Sequence, residues 1–457
     1  MRTDLLELLR CPRSGGRFTL EALERDGDDV EAGVLRSDAG AFPIVAGIPV
    51  LRGGDEGIVD LLLSGDAATA TALAIVRHTD LSRLDALVPL LLDLRPTRPV
   101  GRRLLAYRDR AVARRAAAAL AAAAAGSPEP LLRLTYLEGR RPNPEGYRYF
   151  RYRLGLPRHL VALGAVAAAR PGTGPVVEVG CGAGHLAGQF QSMLAPRRLI
   201  AVERDLDLLW IARRHLAPAV DHLCADATSL PLPTESCSLA VAVDVLSFVE
   251  AKATACRELR RVIEPGGGVV LSSLINATAT HEFAGSPLPV QAWRRLVTAG
   301  AVLPADDTAT DHLALADQTV LDAYLEGSAA PGRSDEAEVL DRARTITLLA
   351  GHAATAGAGL PLRGWPHAIG RLGTHPVLHR VPGEDGSMVR YRREYPSAGF
   401  VRDNPDLERY LPRKLTVGRG SIDEARAGGS PVALADAVAS VAVLGYPEGW
   451  PEDPWST

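Results

Sequence analysis

Between Val176 and His185 the chain reads VVEVGCGAGH, an apolar run followed by Gly180, Gly182 and Gly184 and then by a helical pattern. Without Cβ atoms such a backbone turns sharply and lies against a ligand, while the N–H groups opening the next helix meet an anionic group. A dinucleotide loop would place Gly or Ala at 185, where His185 stands, and a phosphate loop would need G-K-[ST], which is missing. Glu178 sits inside the apolar run. An unpaired carboxylate is costly to bury there, so it calls for backbone N–H donors or a ligand's ammonium group. Cys181 is expected to contribute its backbone, and His185 is assigned no direct role. Two further residues stand where open sheets place their ligands, just past strand ends: Asp244, closing AVAVDV, and His281, in INATATHEF. They are the candidate catalytic residues, His281 as a general base because histidine changes charge near neutral pH. The stretch 140–160, RRPNPEGYRYFRYRLGLPRHL, offers Tyr147, Tyr149 and Tyr152 as lid residues. Aromatics among arginines also suit nucleobase stacking, but over so short a span a packing or lid helix is the reading taken.

These residues need a frame. Residues 160–275 alternate helical patterns (HLVALGAVAAA, LDLLWIARRHL, ATACRELRRVI) with near-continuous apolar runs (PVVEVG, RRLIAVE, HLCAD, SLAVAVDV, GGVVLSS). Apolar strands separated by helices predict a parallel sheet covered on both faces, an α/β fold.

The spacing E-x-G-x-G-x-G resembles the first motif of class I S-adenosylmethionine-dependent methyltransferases, and the resemblance continues for about 100 residues. LIAVE ends in Glu203, CADATSLPLPTESCSLAVAVDVL resembles the segment G-D-A-x-x-L-P-F-P-x-x-S-F-D, and RELRRVIEPGGGVVLS resembles L-R-V-L-K-P-G-G, with Pro265, Gly266 and Gly267 forming the turn into the fifth strand. The resemblance implies a Rossmann-like sheet with S-adenosyl-L-methionine as cofactor, held by Glu178, Gly180, Cys181, Gly182, Gly184, Glu203 on the ribose hydroxyls, and Asp226 on the adenine amino group with Ala227 alongside. It also places Ser247 and Phe248 near the acceptor. Methyl transfer from a sulfonium is an in-line displacement governed by alignment and water exclusion, so a base is needed only where the acceptor must lose a proton.

Residues 1–52 read as a small α+β unit, with an amphipathic start, the turn CPRSGG and short alternating strands ending FPIVAGIPVL. Through LLELLRCP and GVLRSDAGAFPIVAGIPVL it resembles the zinc-ribbon-like activator subunit of tRNA and translation-factor methyltransferases. Ser14 stands where that family has its second cysteine, and Ser37 and Asp38 lie near the later pair. Cys11 alone cannot hold tetrahedral zinc, so the unit is expected to fold without metal on Leu9, Phe18, Leu20, Phe42, Ile44, Ile48 and Val50. The expected organisation is this degenerate activator-like unit (1–52), a helical connector or cap (58–150), the methyltransferase core (151–280), and a C-terminal region (281–457) that completes the sheet and caps the substrate. Stretches after 275, EVLDRARTITLLAGHAATA among them, read as helical.

Composition bounds the function. The chain has 457 residues with 47% hydrophobic content, enough for several cores, and its net charge of −3 provides no global field for nucleic acid or an anionic membrane. Positive charge is nearly all arginine, Lys252 and Lys414 being the only lysines, which fits a GC-rich coding bias. Five cysteines with no CxxC pair argue against a disulfide framework and suit a reducing cytoplasm, and neither a secretory signal nor a membrane span is visible. The leading expectation is O- or N-methylation of a small molecule, sugar or peptide made by a biosynthetic pathway. A protein or RNA methyltransferase docking substrate through residues 1–52 and 140–160 is one alternative, and a cofactor-binding protein without methyl transfer is another.

Overall fold

The computed structural model describes residues 1–76, 92–93, 98–139, 141–169, 172–279, 285–298, 312–325, 337–355, 371–382, 386–405, 407–429, 432–439 and 442–446. The chain begins with a four-stranded antiparallel meander: β1 (Thr19–Asp26), β2 (Asp29–Ser37), β3 (Gly40–Val45) and β4 (Ile48–Pro49). Its alternating apolar residues face inward, and Phe18 meets Phe42 edge to face at 5.6 Å between ring centroids. Helices α1 (Glu56–Leu63), α2 (Ala67–Ile75), α3 (Arg98–Ala125), α4 (Glu129–Tyr136) and α5 (Pro144–Tyr152) follow. The alanine-rich α3 owes its length to high helix propensity, and it buries Ala113, Ala116, Leu120 and Ala123, a stripe at helical spacing. Of the expected helix LVPLLLDL, most lies outside the described residues.

The central sheet has the order β10-β11-β9-β8-β5-β6-β7, where β5 is Val176–Val179, β6 Leu199–Glu203, β7 Asp221–Cys224, β8 Cys237–Val243, β9 Ile263–Ile275, β10 His312–Ala316 and β11 Thr345–Gly351. Strands β5 to β9 pair in parallel, and β11 runs antiparallel to both β9 and β10. Every residue of β8 is buried, which is why its sequence is apolar apart from Ser238, whose hydroxyl donates to Gly174 O. Helices α6 (His159–Ala169), α7 (Ala187–Leu194), α8 (Leu206–Ile211) and α9 (Lys252–Val262) pack on the two faces. This is the Rossmann-like sheet that the class I methyltransferase resemblance implies, with an additional N-terminal sheet. The chain leaves β5 toward β6 on one side and returns to β8 on the other, so a crevice opens at the carboxyl ends of β5 and β8.

One expectation is corrected. The segment TITLLAG is the buried strand β11, not helix. Periodicity cannot tell a short apolar run of this kind from a buried helix; here the slot between β9 and β10 decides, because the main chain can pair on both edges.

The N-terminal unit shares a core with the sheet, and Val50 bridges Cys224 of β7 in parallel, with Leu51 N–H donating to Cys224 O at 2.7 Å. Around that seam Arg2 and Arg198 both clamp Asp221, Arg198 also reaches Asp4, and Arg213 pairs with Glu31 at 2.6 Å. All five cysteines are free and buried. Among the described residues no helix is long and apolar enough to cross a membrane.

Candidate functional site

A cavity of ≈ 890 Å³ opens at the carboxyl ends of β5, β6, β8 and β9. Its first wall is the glycine turn. Gly180 has φ +76°, and a Cβ there would stand 2.2 Å from Val245 Cγ2, so both the dihedral and the close approach of the two strand ends exclude a side chain. Gly182 has φ +55° and faces the cavity, where a Cβ would meet only the Phe150 ring at 3.4 Å. The turn is hung from β6: Gly180 and Cys181 N–H both donate to Val202 O, at 2.7 and 3.2 Å.

Glu203 fixes the turn from the side. Its Oε2 accepts the Gly182 N–H at 3.0 Å, and its Oε1 accepts those of Arg204 and Asp205 at 2.7 and 3.2 Å. Burial and the Asp205 charge raise its pKa against these three bonds. Asp226 and Ala227 line the same half of the cavity, with Asp226 Oδ1 accepting the Thr228 N–H and hydroxyl. Glu178, Cys181 and Gly184 stand behind the cavity wall. Glu178 is buried with Oε2 unpartnered, and burial pushes its carboxyl up to about 8, Arg153 opposing. A neutral carboxyl with an unpartnered oxygen beside a glycine turn is a place where a ligand cation would be welcome.

The second wall centres on Asp244, which leaves β8 with φ +59°. Its Oδ2 accepts the Tyr149 hydroxyl at 2.9 Å and Arg153 Nη1 at 3.1 Å, and Arg158 Nη2 lies at 3.5 Å. Arg153 is buried and stacks over the Tyr149 ring at 4.4 Å; burial lowers its pKa to about 10, so it stays protonated at neutral pH. Tyr149 is delivered by α5, which is capped by Asn143 and begins with Pro144. His185, buried and held neutral by burial, bonds through Nε2 to Phe150 O at 3.0 Å and so ties α5 to the start of the segment after the glycine turn. From the C-terminal region, His375 Nδ1 accepts the Val377 N–H, leaving Nε2 to donate to Gly155 O at 3.3 Å behind Arg153. Phe400 and Asn404 close the far side.

Of the other expected residues, Phe248 lines the cavity and is half exposed. Tyr147 turns away, donating to Glu129, and Tyr152 packs against Phe400, their ring centroids 5.1 Å apart. Ser247 is buried, its Oγ accepting the Ile275 N–H at 3.0 Å. His281 lies outside the described residues. Arg153, Arg158, Ser273 and Phe400 are cavity residues that sequence reasoning did not single out. The two arginines had a signal, flanking LGLP just after the aromatic stretch; Ser273 and Phe400 had none.

Residues 177–271 match a protein family described as "Methyltransferase domain". A malonyl-[acyl-carrier protein] O-methyltransferase of Marinomonas sp. is 34% identical over 101 residues, 22% of this chain and 37% of that protein. The ubiquinone/menaquinone biosynthesis C-methyltransferase UbiE of Shewanella frigidimarina is 26% identical over 155 residues, 33% of this chain and 61% of that protein. The chain thus spans less than two thirds of the length of these relatives. Among solved structures, geranyl diphosphate C-methyltransferase of Streptomyces coelicolor superposes with a TM-score of 0.29 at 13% identity, covering 39% of this chain and 69% of that one. The glycine turn, Glu203, Asp226 and the strand bearing Asp244 all fall inside the matched span, so residues 177–271 form a methyltransferase domain on a mostly parallel sheet.

Proposed function

We propose that the chain methylates a small-molecule acceptor at oxygen or nitrogen, with S-adenosylmethionine as donor. The observation that carries this reading is the cavity's division into two unlike halves: a backbone-built half at the glycine turn, and a half built from Tyr149, Arg153, Arg158 and Asp244 at the next strand end. The donor, when bound, supplies a methyl group on a sulfonium sulfur, already activated for in-line displacement. The chain's own residues bind and orient. Gly180 and Gly182 leave room for the ligand against the backbone, Glu203 and Asp226 offer acceptors to hydroxyl and amino groups, and Glu178 receives an ammonium charge. Asp244 acts as a positioning residue that holds Tyr149 and both arginines.

The N-terminal unit reads as a built-in, metal-free relative of the activator subunit. Cys11, Ser14, Ser37 and Asp38 meet in one knot, where Ser37 Oγ donates to Cys11 Sγ at 3.2 Å and Ser14 Oγ to Asp38 Oδ1 at 2.5 Å. Its strand pairing with β7 supports the sheet edge next to Asp226.

Calorimetric titration with S-adenosylhomocysteine, followed by mass spectrometry of a small-molecule extract incubated with protein and donor, tests the function. Binding plus an extract component heavier by one methylene supports it; absence of binding, or methylation confined to protein or RNA fractions, overturns it.

A further inference from the structure

The acceptor half of the cavity contains two polar groups that the fold leaves unsatisfied. Ser273 is buried, lines the cavity, and its Oγ has no partner among the described residues. It sits at φ +56°, in the bulge where β9 slips against β11 between Ile346 and Leu348. A non-glycine residue in that region is strained, and bulges re-aim side chains beside active sites. Its neighbour Ser272 takes the ordinary inward role, bonding Thr347 Oγ1 at 2.9 Å, so the bulge has the effect of sparing Ser273 for the cavity. The second group is Arg158, whose Nε is buried without a partner while Nη2 rests near Asp244.

Both groups flank the same residue. Asp244 N–H donates to Ser272 O at 3.0 Å, which sets Ser273 next to Asp244 along the sheet, and Arg158 Nη2 lies 3.5 Å from the Asp244 carboxylate. Both unsatisfied groups can donate hydrogen bonds. The cluster of Arg153, Arg158 and Asp244 has two positive charges sharing one carboxylate oxygen, a net positive site away from bulk water. Beside it Leu156, Phe248, Ile275 and Phe400 give the cavity an apolar surface, with Glu250, Thr345 and Asn404 among its polar lining.

We propose that the acceptor is a carboxylate carrying an apolar tail, one oxygen seated on Arg158 Nε and Ser273 Oγ and the tail on that apolar lining. The inference rests on the methyltransferase reading and names its substrate class. In the reaction the other carboxylate oxygen bonds to the methyl carbon as the carbon–sulfur bond breaks, its electron pair passing to sulfur; the products are a methyl ester and S-adenosylhomocysteine. No proton has to leave the acceptor, which agrees with Asp244 Oδ2 being already committed to three donors.

The test uses the full chain saturated with S-adenosylhomocysteine and titrated with octanoate and, as its uncharged match, octanamide. Octanoate binds at least roughly tenfold more tightly; Arg158→Gln brings the two to parity, Arg158→Lys recovers part of the difference, and Ser273→Ala weakens octanoate by roughly three- to tenfold. Methyl octanoate forms when the donor replaces its product. Equal binding of the two probes, binding of neither, or an unchanged ratio in Arg158→Gln overturns the subsite. Failure of S-adenosylhomocysteine itself to bind is a different result: it sinks the methyltransferase reading and takes this inference with it.

Discussion

Two tight turns, at 11–16 and at 180–184, each carry the spacing of a ligand-binding motif, and the structure treats them oppositely. At the glycine turn a buried carboxyl, Glu178, is left with an unpartnered oxygen and a pKa displaced to about 8, and Gly182 opens onto a cavity. At the cysteine turn the groups satisfy one another: Cys11 N–H donates to Gly16 O, Gly15 N–H to Cys11 O, Ser37 to Cys11 Sγ, and Ser14 to Asp38. Against its burial, bonds from Ser37 and Ser14 bring the Cys11 thiol below its ordinary value. A turn built to bind keeps desolvated groups that a ligand relieves, whereas a turn whose groups pair with one another has no such deficit.

The sharpest way to break this contrast is to fill the glycine turn. Gly180→Val forces branched atoms into Val245 from a left-handed backbone position, so S-adenosylhomocysteine affinity falls by more than about 100-fold in calorimetric titration, with far-ultraviolet circular dichroism retained. Retained affinity removes the turn from the site. Removing the flanking acids costs less: Glu203→Ala and Asp226→Ala each forfeit a hydrogen bond with a charged acceptor, about 1.5–3 kcal/mol or roughly 10- to 150-fold in affinity. Glu203→Ala takes the larger loss, because the Gly182, Arg204 and Asp205 N–H groups lose their acceptor as well.

Glu178 adds a pH signature. Its pKa in the ligand-free fold, about 8, lies above the ordinary value of 4.5, so below about 8 the carboxyl is protonated and must release its proton to pair with an ammonium. Affinity for S-adenosylhomocysteine therefore rises with pH by up to about tenfold per unit from pH ~6 and levels off near pH ~8. The ligand-free fold loses stability over the interval from the ordinary carboxylate value up to about 8, where the folded state binds more protons than the unfolded chain, so the ligand raises Tm more at the alkaline end. Glu178→Gln should flatten the affinity profile; an affinity slope that persists in this variant assigns the proton elsewhere.

The glycine-turn half was legible because it is written in one stretch: turn, Glu203 and Asp226 follow within 46 residues of Gly180 and carry their spacing with them. The acceptor half was not, because tertiary structure assembles it. Arg153 and Arg158 precede the sheet, Ser273 reaches the cavity only through a bulge in β9, and Phe400 arrives from a region more than 100 residues beyond. Tyr149 faces the cavity while Tyr147 and Tyr152, two and three residues away, do not, a distinction set by the rotation of α5 against α4 and Phe400. The strand character of TITLLAG was hidden for a related reason, since a strand buried on both faces has no alternation to betray it.

The smallest expected effect is at the cysteine turn, and it tests the other side of the comparison. Tetrahedral zinc needs four good ligands, and among Cys11, Ser14, Ser37 and Asp38 only the thiolate and the carboxylate are ordinary ones. No further group is at hand, since among the described residues no cluster of three or more His, Cys, Asp or Glu is placed to hold a metal ion. Stability has to come from packing instead: Leu9, Phe18, Phe42, Ile44, Ile48 and Val50 are buried in a core continuous with the central sheet, and the Asp221 clamp and the β4 edge bind the unit to β7. Elemental analysis of protein purified without added metal should find well under one zinc per chain, and a strong chelator should leave Tm unchanged, because no metal-binding free energy is coupled to folding. Ser14→Cys with Ser37→Cys supplies the positive control. Replacing two hydroxyls by thiols beside Cys11 and Asp38 gives three sulfurs and a carboxylate, and this double variant should gain a chelator-sensitive Tm that the natural sequence lacks. Stoichiometric zinc in the natural chain would mean that the serine hydrogen bonds at Cys11 and Asp38 yield to a metal, and that the two turns are alike after all.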